Sequence, residues 1–119
     1  MDICIVGSIR FRDKIAQISK KLESSRLNHS LPVMDLPKEE ETPEMTTMLV
    51  YDHFKKIDKC KILYVVNPGG YIGNSVKIEI GYAKGAGKKI VFLEKTNLPE
   101  LDCLADKIIG EDALEMLMQ

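Results

Sequence analysis

The run Lys61-Ile62-Leu63-Tyr64-Val65-Val66, halted at once by Asn67-Pro68-Gly69-Gly70, constrains the fold more than any other stretch of this chain. Its β-branched and aromatic side chains favour a central strand, and the proline and glycines forbid that strand to continue. The next segment reads as a helix from about Asn74 to Ala86, with Gly87 as its C-terminal cap, and then a further strand, Lys89 to Leu93. The same alternation precedes the central strand. Residues 2 to 6 make a short apolar strand ending at Gly7-Ser8, and Ile15, Ile18 and Leu22 recur at helical spacing between Phe11 and Leu27. Leu31-Pro32-Val33-Met34 reads as an edge strand, where a proline is tolerable. Thr42-Pro43-Glu44 then carries the cap, the first-turn proline and the acid of a helix start, so a helix to about Lys59 is expected. Between them, Asp35 to Pro43 contains Glu39, Glu40 and Glu41 in succession, which predicts a mobile loop. Ile108-Ile109 and Asp112 to Met118 suggest a last short strand and a last helix.

Strands alternating with helices of this length predict an α/β fold. It is a three-layer, doubly wound parallel sheet of about five strands, flavodoxin-like or Rossmann-like, with order 2-1-3-4-5 and right-handed crossovers. The chain's 119 residues suffice for one such domain, and 45% hydrophobic with 29% charged residues is the balance of a soluble globular protein. Seventeen basic against eighteen acidic residues leave a net charge of -1, so no field is present to attract a nucleic-acid polymer. Cys4, Cys60 and Cys103 form no CxxC pair, and their odd number argues for reduced packing residues. With no signal-peptide pattern at Ile3-Cys4-Ile5-Val6 and no stretch able to span a bilayer, a cytoplasmic location away from the membrane is expected.

In such a sheet ligands bind beyond the carboxyl ends of the strands where the strand order reverses, here the tips of the first and third strands. The loops leaving those tips are Gly7-Ser8-Ile9-Arg10 and Asn67 to Ser75. In the second, three glycines (Gly69, Gly70 and Gly73) and Pro68, in the stretch that opens at Asn67, let the backbone approach an anion and turn its amides outward. Gly73-Asn74-Ser75 then opens a helix whose free amides suit a phosphate or sugar hydroxyl, unless Asn74 and Ser75 serve only as caps. Glu79, four residues after Ser75, shares its helix face and leans toward the cleft. Its alternative role is simply to complement the helix dipole. Arg10 offers a planar fork to phosphate, with Ser8 and the loop amides beside it, or else is a solvated surface arginine. His53, between Leu49 and Ile57 on the buried stripe of its helix, is either packed or catalytic. The Lys38-Glu39-Glu40-Glu41 run is a solvated loop or a lid over the cleft.

Two blocks resemble the nucleoside 2-deoxyribosyltransferase-like family, which includes the 2'-deoxynucleoside 5'-phosphate N-hydrolases. One is Ile5-Val6-Gly7-Ser8-Ile9-Arg10. The other runs from Ile62 through Asn67, Gly73-Asn74-Ser75 and Glu79-Ile80-Gly81-Tyr82-Ala83 to Gly87-Lys88-Lys89-Ile90. The resemblance implies a single domain of this kind over residues 1–119 and the cleavage of an N-glycosidic bond, or deoxyribosyl transfer, on a nucleoside or nucleoside 5'-monophosphate. It also implies no cofactor or metal, and a homodimer or larger homo-oligomer. It implies that Glu79 attacks the anomeric carbon, Ser75 holds substrate, and the Gly-Ser-Ile-Arg loop takes phosphate. A carboxylate suits that role because the bond breaks through an oxocarbenium-like state. The family often places an aspartate, as the proton donor, on the helix before the third strand. Here that position is His53, with Asp52 one residue away and about 100° around the helix. The departure leaves a second reading, a non-catalytic nucleotide-binding or sensor domain. Pro68-Gly69-Gly70 with Gly73 and Glu79 also looks like the signature of the Lonely Guy phosphoribohydrolases, though more widely spaced. A receiver-like role wants acids where Gly7-Ser8 stand.

Overall fold

In the computed structural model, which describes residues 2–33 and 42–119, strands and helices alternate: β1 (Ile3–Val6), α1 (Arg12–Ser24), β2 (His29–Ser30), α2 (Pro43–Asp58), β3 (Ile62–Val65), α3 (Asn74–Gly85), β4 (Lys89–Phe92), α4 (Pro99–Asp102) and β5 (Lys107–Ile108). Turns of 3-10 helix stand at Ile9–Phe11 and Pro68–Gly70, and a 3-10 segment, Glu111–Met118, comes after β5. The five strands pair in parallel in the order β2-β1-β3-β4-β5. This is the doubly wound, three-layer arrangement that the alternation predicts.

The middle strands are buried at every position because both sheet faces are covered. Ile62 and Tyr64 of β3 point to a layer with Ile15, Ile18 and Leu22 of α1 and Leu114 and Leu117 of the 3-10 segment. Leu63 and Val65 point to the other, against Ile57 of α2, Val76, Ile80 and Ala83 of α3, and Leu101 of α4. Each such side chain, fully withdrawn from water, contributes about 1.5–3 kcal/mol. The polar end of Tyr64 in this layer is satisfied: its hydroxyl donates to the Ile109 carbonyl at 2.7 Å. Burial, and then the Glu111 charge, push that phenol above its ordinary range.

Four local expectations are corrected. The second strand is His29–Ser30, registered on Ile3 and Cys4, and not Leu31–Met34. Pro32 lacks the N–H a ladder needs, and Leu31 and Val33 on either side of it are exposed. Helix α1 stops at Ser24 because Arg26 turns into the left-handed region (φ 58°), which lets the Leu27 amide donate back to the Leu22 carbonyl at 2.9 Å. The short helix α4 carries too little periodicity to announce itself, and the last helix is a kinked 3-10 segment. Cys4 and Cys60 are buried as expected, whereas Cys103 is exposed. The start of α2 agrees with its signals, with Thr42 Oγ1 accepting from the Met45 amide at 3.2 Å. Met34 and the Lys38-Glu39-Glu40-Glu41 run lie outside the described residues. Among the described residues no helix is long and apolar enough to cross a membrane.

Candidate active site

The sheet order reverses between β1 and β3, and the segments leaving their tips enclose a cavity of about 410 Å³. Gly7, Ser8 and Ile9 line it from the β1 side, Pro32 and Val33 from beyond β2, and Leu49 and His53 from α2. Tyr71, Gly73, Asn74, Ser75, Val76 and Glu79 complete the wall. Gly7 is required by proximity: a Cβ there would stand 2.9 Å from the Val66 carbonyl oxygen and 3.1 Å from Ile15 Cδ1. Ser8 caps the turn after β1, its Oγ accepting from the Arg10 amide at 3.4 Å. At the opposite wall Gly73 is the N-cap of α3 and has no side chain to cap it, so the first-turn amides face the cavity end without a side-chain acceptor.

Glu79 stands one turn after Ser75 and is buried, with 5% of its surface exposed. Its Oε2 lies 2.6 Å from His53 Nδ1, while Oε1 makes no hydrogen bond among the described residues. Since a carboxylate only accepts, Nδ1 carries the proton of this bond. His53 Nε2 is then a bare lone pair in the neutral ring or a second N–H in the imidazolium. It is buried and has no partner among the described residues. The pair ties α2 to α3 and stands at a junction. A smaller cavity of about 130 Å³, walled by Thr46, Val50, Phe54 and Ile78, shares Leu49, His53, Ser75 and Glu79 with the larger one. A bond held at that border has a carboxylate and an imidazole nitrogen beside it.

The other expected site residues divide. Asp52, one position before His53, is exposed on the outer side of α2 and pairs with Lys56 at 3.4 Å, away from the cavity. Asn67 is buried and engaged: its Nδ2 donates to the Glu94 carbonyl at 2.8 Å, and its Oδ1 accepts from the Glu94 amide at 3.0 Å. That clasp joins the tips of β3 and β4. Gly69 and Gly70 take the positive φ that glycine permits (68° and 81°), but they face β4 and do not line the cavity. The Gly69 amide donates to the protein's own Glu94 carboxylate at 3.1 Å, and a Cβ on Gly70 would meet the Lys95 carbonyl oxygen at 2.7 Å. Three residues of the expected cradle are therefore engaged within the fold, and the part that lines the cavity is Gly73 to Ser75 with Gly7 to Ile9. Arg10 is not on the cavity wall. Its guanidinium lies 4.0 Å above the ring of Tyr71, which is.

Tyr71, Leu49 and the wall of the smaller cavity escaped sequence reading, because apolar residues at helical spacing look like core and a lone tyrosine in a glycine loop has no pattern. Two hollows of similar volume elsewhere, about 450 Å³ beside α1 and about 440 Å³ beside Lys84, hold no such pair. Each carries an ion pair on its wall, Lys21–Glu111 in the first and Lys84–Asp106 in the second.

No protein-family model matches the sequence, and no curated protein matches it either. Among solved structures, that of the Clostridium botulinum CMP N-glycosidase BcmB is similar, with a TM-score of 0.58 at 20% identity over 99% of this chain and 98% of that one. The likeness is one of fold, and it covers the chain from end to end.

Proposed function

We propose that this protein cleaves the N-glycosidic bond of a nucleoside 5'-monophosphate, with Glu79 as nucleophile and His53 as proton donor to the leaving base. The observation that carries the reading is the buried Glu79–His53 pair at the junction of two cavities. The structural neighbour, a CMP N-glycosidase, supports the same class.

In this reading the sugar and phosphate occupy the larger cavity and the base the smaller. Glu79 Oε1 bonds to the anomeric carbon as the carbon–nitrogen bond breaks. The bonding electrons leave with the base, which takes a proton from His53 Nε2. Nδ1–H stays on Oε2 throughout and holds the carboxylate in place. Water then attacks the glycosyl ester as His53 recovers its proton, which gives hydrolysis; a second base in the vacated cavity gives deoxyribosyl transfer. At the far end Ser8, the β1-loop amides and the N-terminus of α3 receive the phosphate, and Arg10, stacked on the wall residue Tyr71, reaches it from the rim. The enzyme works in the cytoplasm as a homodimer, and Met48, Tyr51 and Ile78, exposed on α2 and α3 beside the smaller cavity, supply an apolar surface for the second copy. A monomer by light scattering overturns the assembly.

Purified protein incubated with deoxynucleosides, ribonucleosides and their 5'-monophosphates, then chromatographed for free base, tests the activity. Base release lost in Glu79→Gln is the expected result. Nucleotide binding with no release from any substrate favours the sensor reading instead.

A further inference from the structure

A cation and two aromatic rings meet at the edge of the larger cavity. Tyr71 comes directly after the Pro68–Gly70 turn, and two side chains from the β1 loop converge on it. The Arg10 guanidinium carbon is 4.0 Å from the ring centroid, and Phe11 meets the same ring edge to face, with centroids 5.9 Å apart and planes at 71°. The tyrosine hydroxyl turns back along its own loop to the start of α3, where a Cβ built on Gly73 would stand 3.7 Å from it. One ring thus spans the two loops, from the turn after β1 to the N-terminus of α3.

Stacking engages only the face of a guanidinium. The N–H donors lie in the plane and remain available at its edge. In this structure they make no hydrogen bond or ion pair among the described residues, and the acceptor they want is planar or tetrahedral and anionic. An exposed arginine otherwise loses much rotamer freedom when it takes a ligand, and a ring that already holds the fork reduces that loss.

We propose that Tyr71 is the positioning residue for phosphate selection: it presents Arg10 to the 5'-phosphate and thereby sets how strongly the site prefers a nucleotide to its nucleoside. The inference rests on the reading of this site as a nucleotide site, and it assigns Tyr71 no role at the anomeric carbon. Its effect is confined to ligands with a phosphate, and it acts only through Arg10.

Equilibrium binding measured calorimetrically in the Glu79→Gln background, where turnover is blocked, tests it with the 5'-monophosphates of cytidine, deoxycytidine, adenosine and deoxyguanosine and with the matched nucleosides. Tyr71→Leu should weaken the monophosphates about two- to fivefold and leave the nucleosides unchanged. Tyr71→Phe, which keeps the ring, should stay within about twofold of the parent. Arg10→Ala should weaken the monophosphates about tenfold or more, and Tyr71→Leu added to it should cost nothing further. Equal weakening of nucleosides and monophosphates by Tyr71→Leu, or a Tyr71→Leu effect that survives in Arg10→Ala, overturns the role of Tyr71 and leaves the nucleotide reading standing. Monophosphates that bind the parent no better than nucleosides overturn the phosphate reading itself, and the role of Tyr71 with it.

Discussion

The chain has two histidines, both half-buried, and they differ in what their second nitrogen does. His29 in β2 is saturated. Its Nδ1 donates to the Leu27 carbonyl at 3.0 Å, and its Nε2 meets the Ser19 hydroxyl at 2.7 Å. His53 in α2 donates through Nδ1 to Glu79 at 2.6 Å, and its Nε2 is buried with no partner among the described residues. A buried polar atom without a partner costs about 1–3 kcal/mol. The contrast separates a histidine engaged through both nitrogens at the sheet edge from one that keeps a buried nitrogen unpartnered, among the described residues, at the border of the two cavities.

The contrast is open to attack at several points. The largest effect should come from the group that only His53 touches: Glu79→Gln lowers base release at least about a thousandfold, measured by chromatography on protein whose circular dichroism is unchanged. His53→Ala should come next, with about a hundredfold loss on nucleotides. A deoxyribose 5-phosphate carrying a p-nitrophenolate leaving group, which needs no proton, should recover most of that rate. Equal loss on both substrates would reduce His53 to a support for Glu79. His29→Ala should reverse the pattern, with turnover retained and about 1–2 kcal/mol of stability lost in urea titrations; a loss of turnover there would erase the distinction.

A pH comparison of the two histidines needs the acid limit of the fold, which Glu111 helps to set. Hydrogen bonds from Lys14 and then Lys21, at 2.7 Å each, hold its carboxyl below the ordinary 4.5. A carboxyl lowered in the folded state contributes stability that is present above its ordinary pKa and disappears as pH falls through the folded value. Glu111→Gln should therefore be less stable than the parent at pH 7, and the difference should vanish as pH falls through the lowered folded value, by thermal melts at descending pH. The smallest change lies on the His29 side. Arg26→Gly, two residues before Asn28, relieves a left-handed backbone and should move stability upward by less than about 1 kcal/mol, leaving turnover untouched.

The two glycine-bearing stretches after β3 show where sequence reading stops. Gly69-Gly70 and Gly73-Asn74-Ser75 look alike as anion cradles, and both have backbone amides that ask for an acceptor. What separates them is Glu94, far along the chain at the tip of β4, whose carboxylate takes the Gly69 amide and whose main chain clasps Asn67. Nothing within the loop encodes that pairing. Asp52 and His53 pose the same difficulty on α2. Each is a plausible proton donor by spacing, and the contact that decides, to Glu79, crosses 26 residues.

Local chemistry alone determined the alternation of the main strands and helices, the parallel doubly wound sheet, the tips of β1 and β3 as the end where the loops open, and the start of α2 at Thr42-Pro43. Periods of two and 3.6 residues, proline without its N–H, and glycine at turns act over a few residues, so they can be read from a few residues. Only the tertiary structure decided which histidine nitrogen is left free, which glycine amides face the cavity, that the edge strand is His29–Ser30, and that Arg10 rests on Tyr71. Those outcomes depend on which groups from distant segments reach each other first, and hydrogen bonds and ring contacts of a few ångströms have no period in the sequence to announce them.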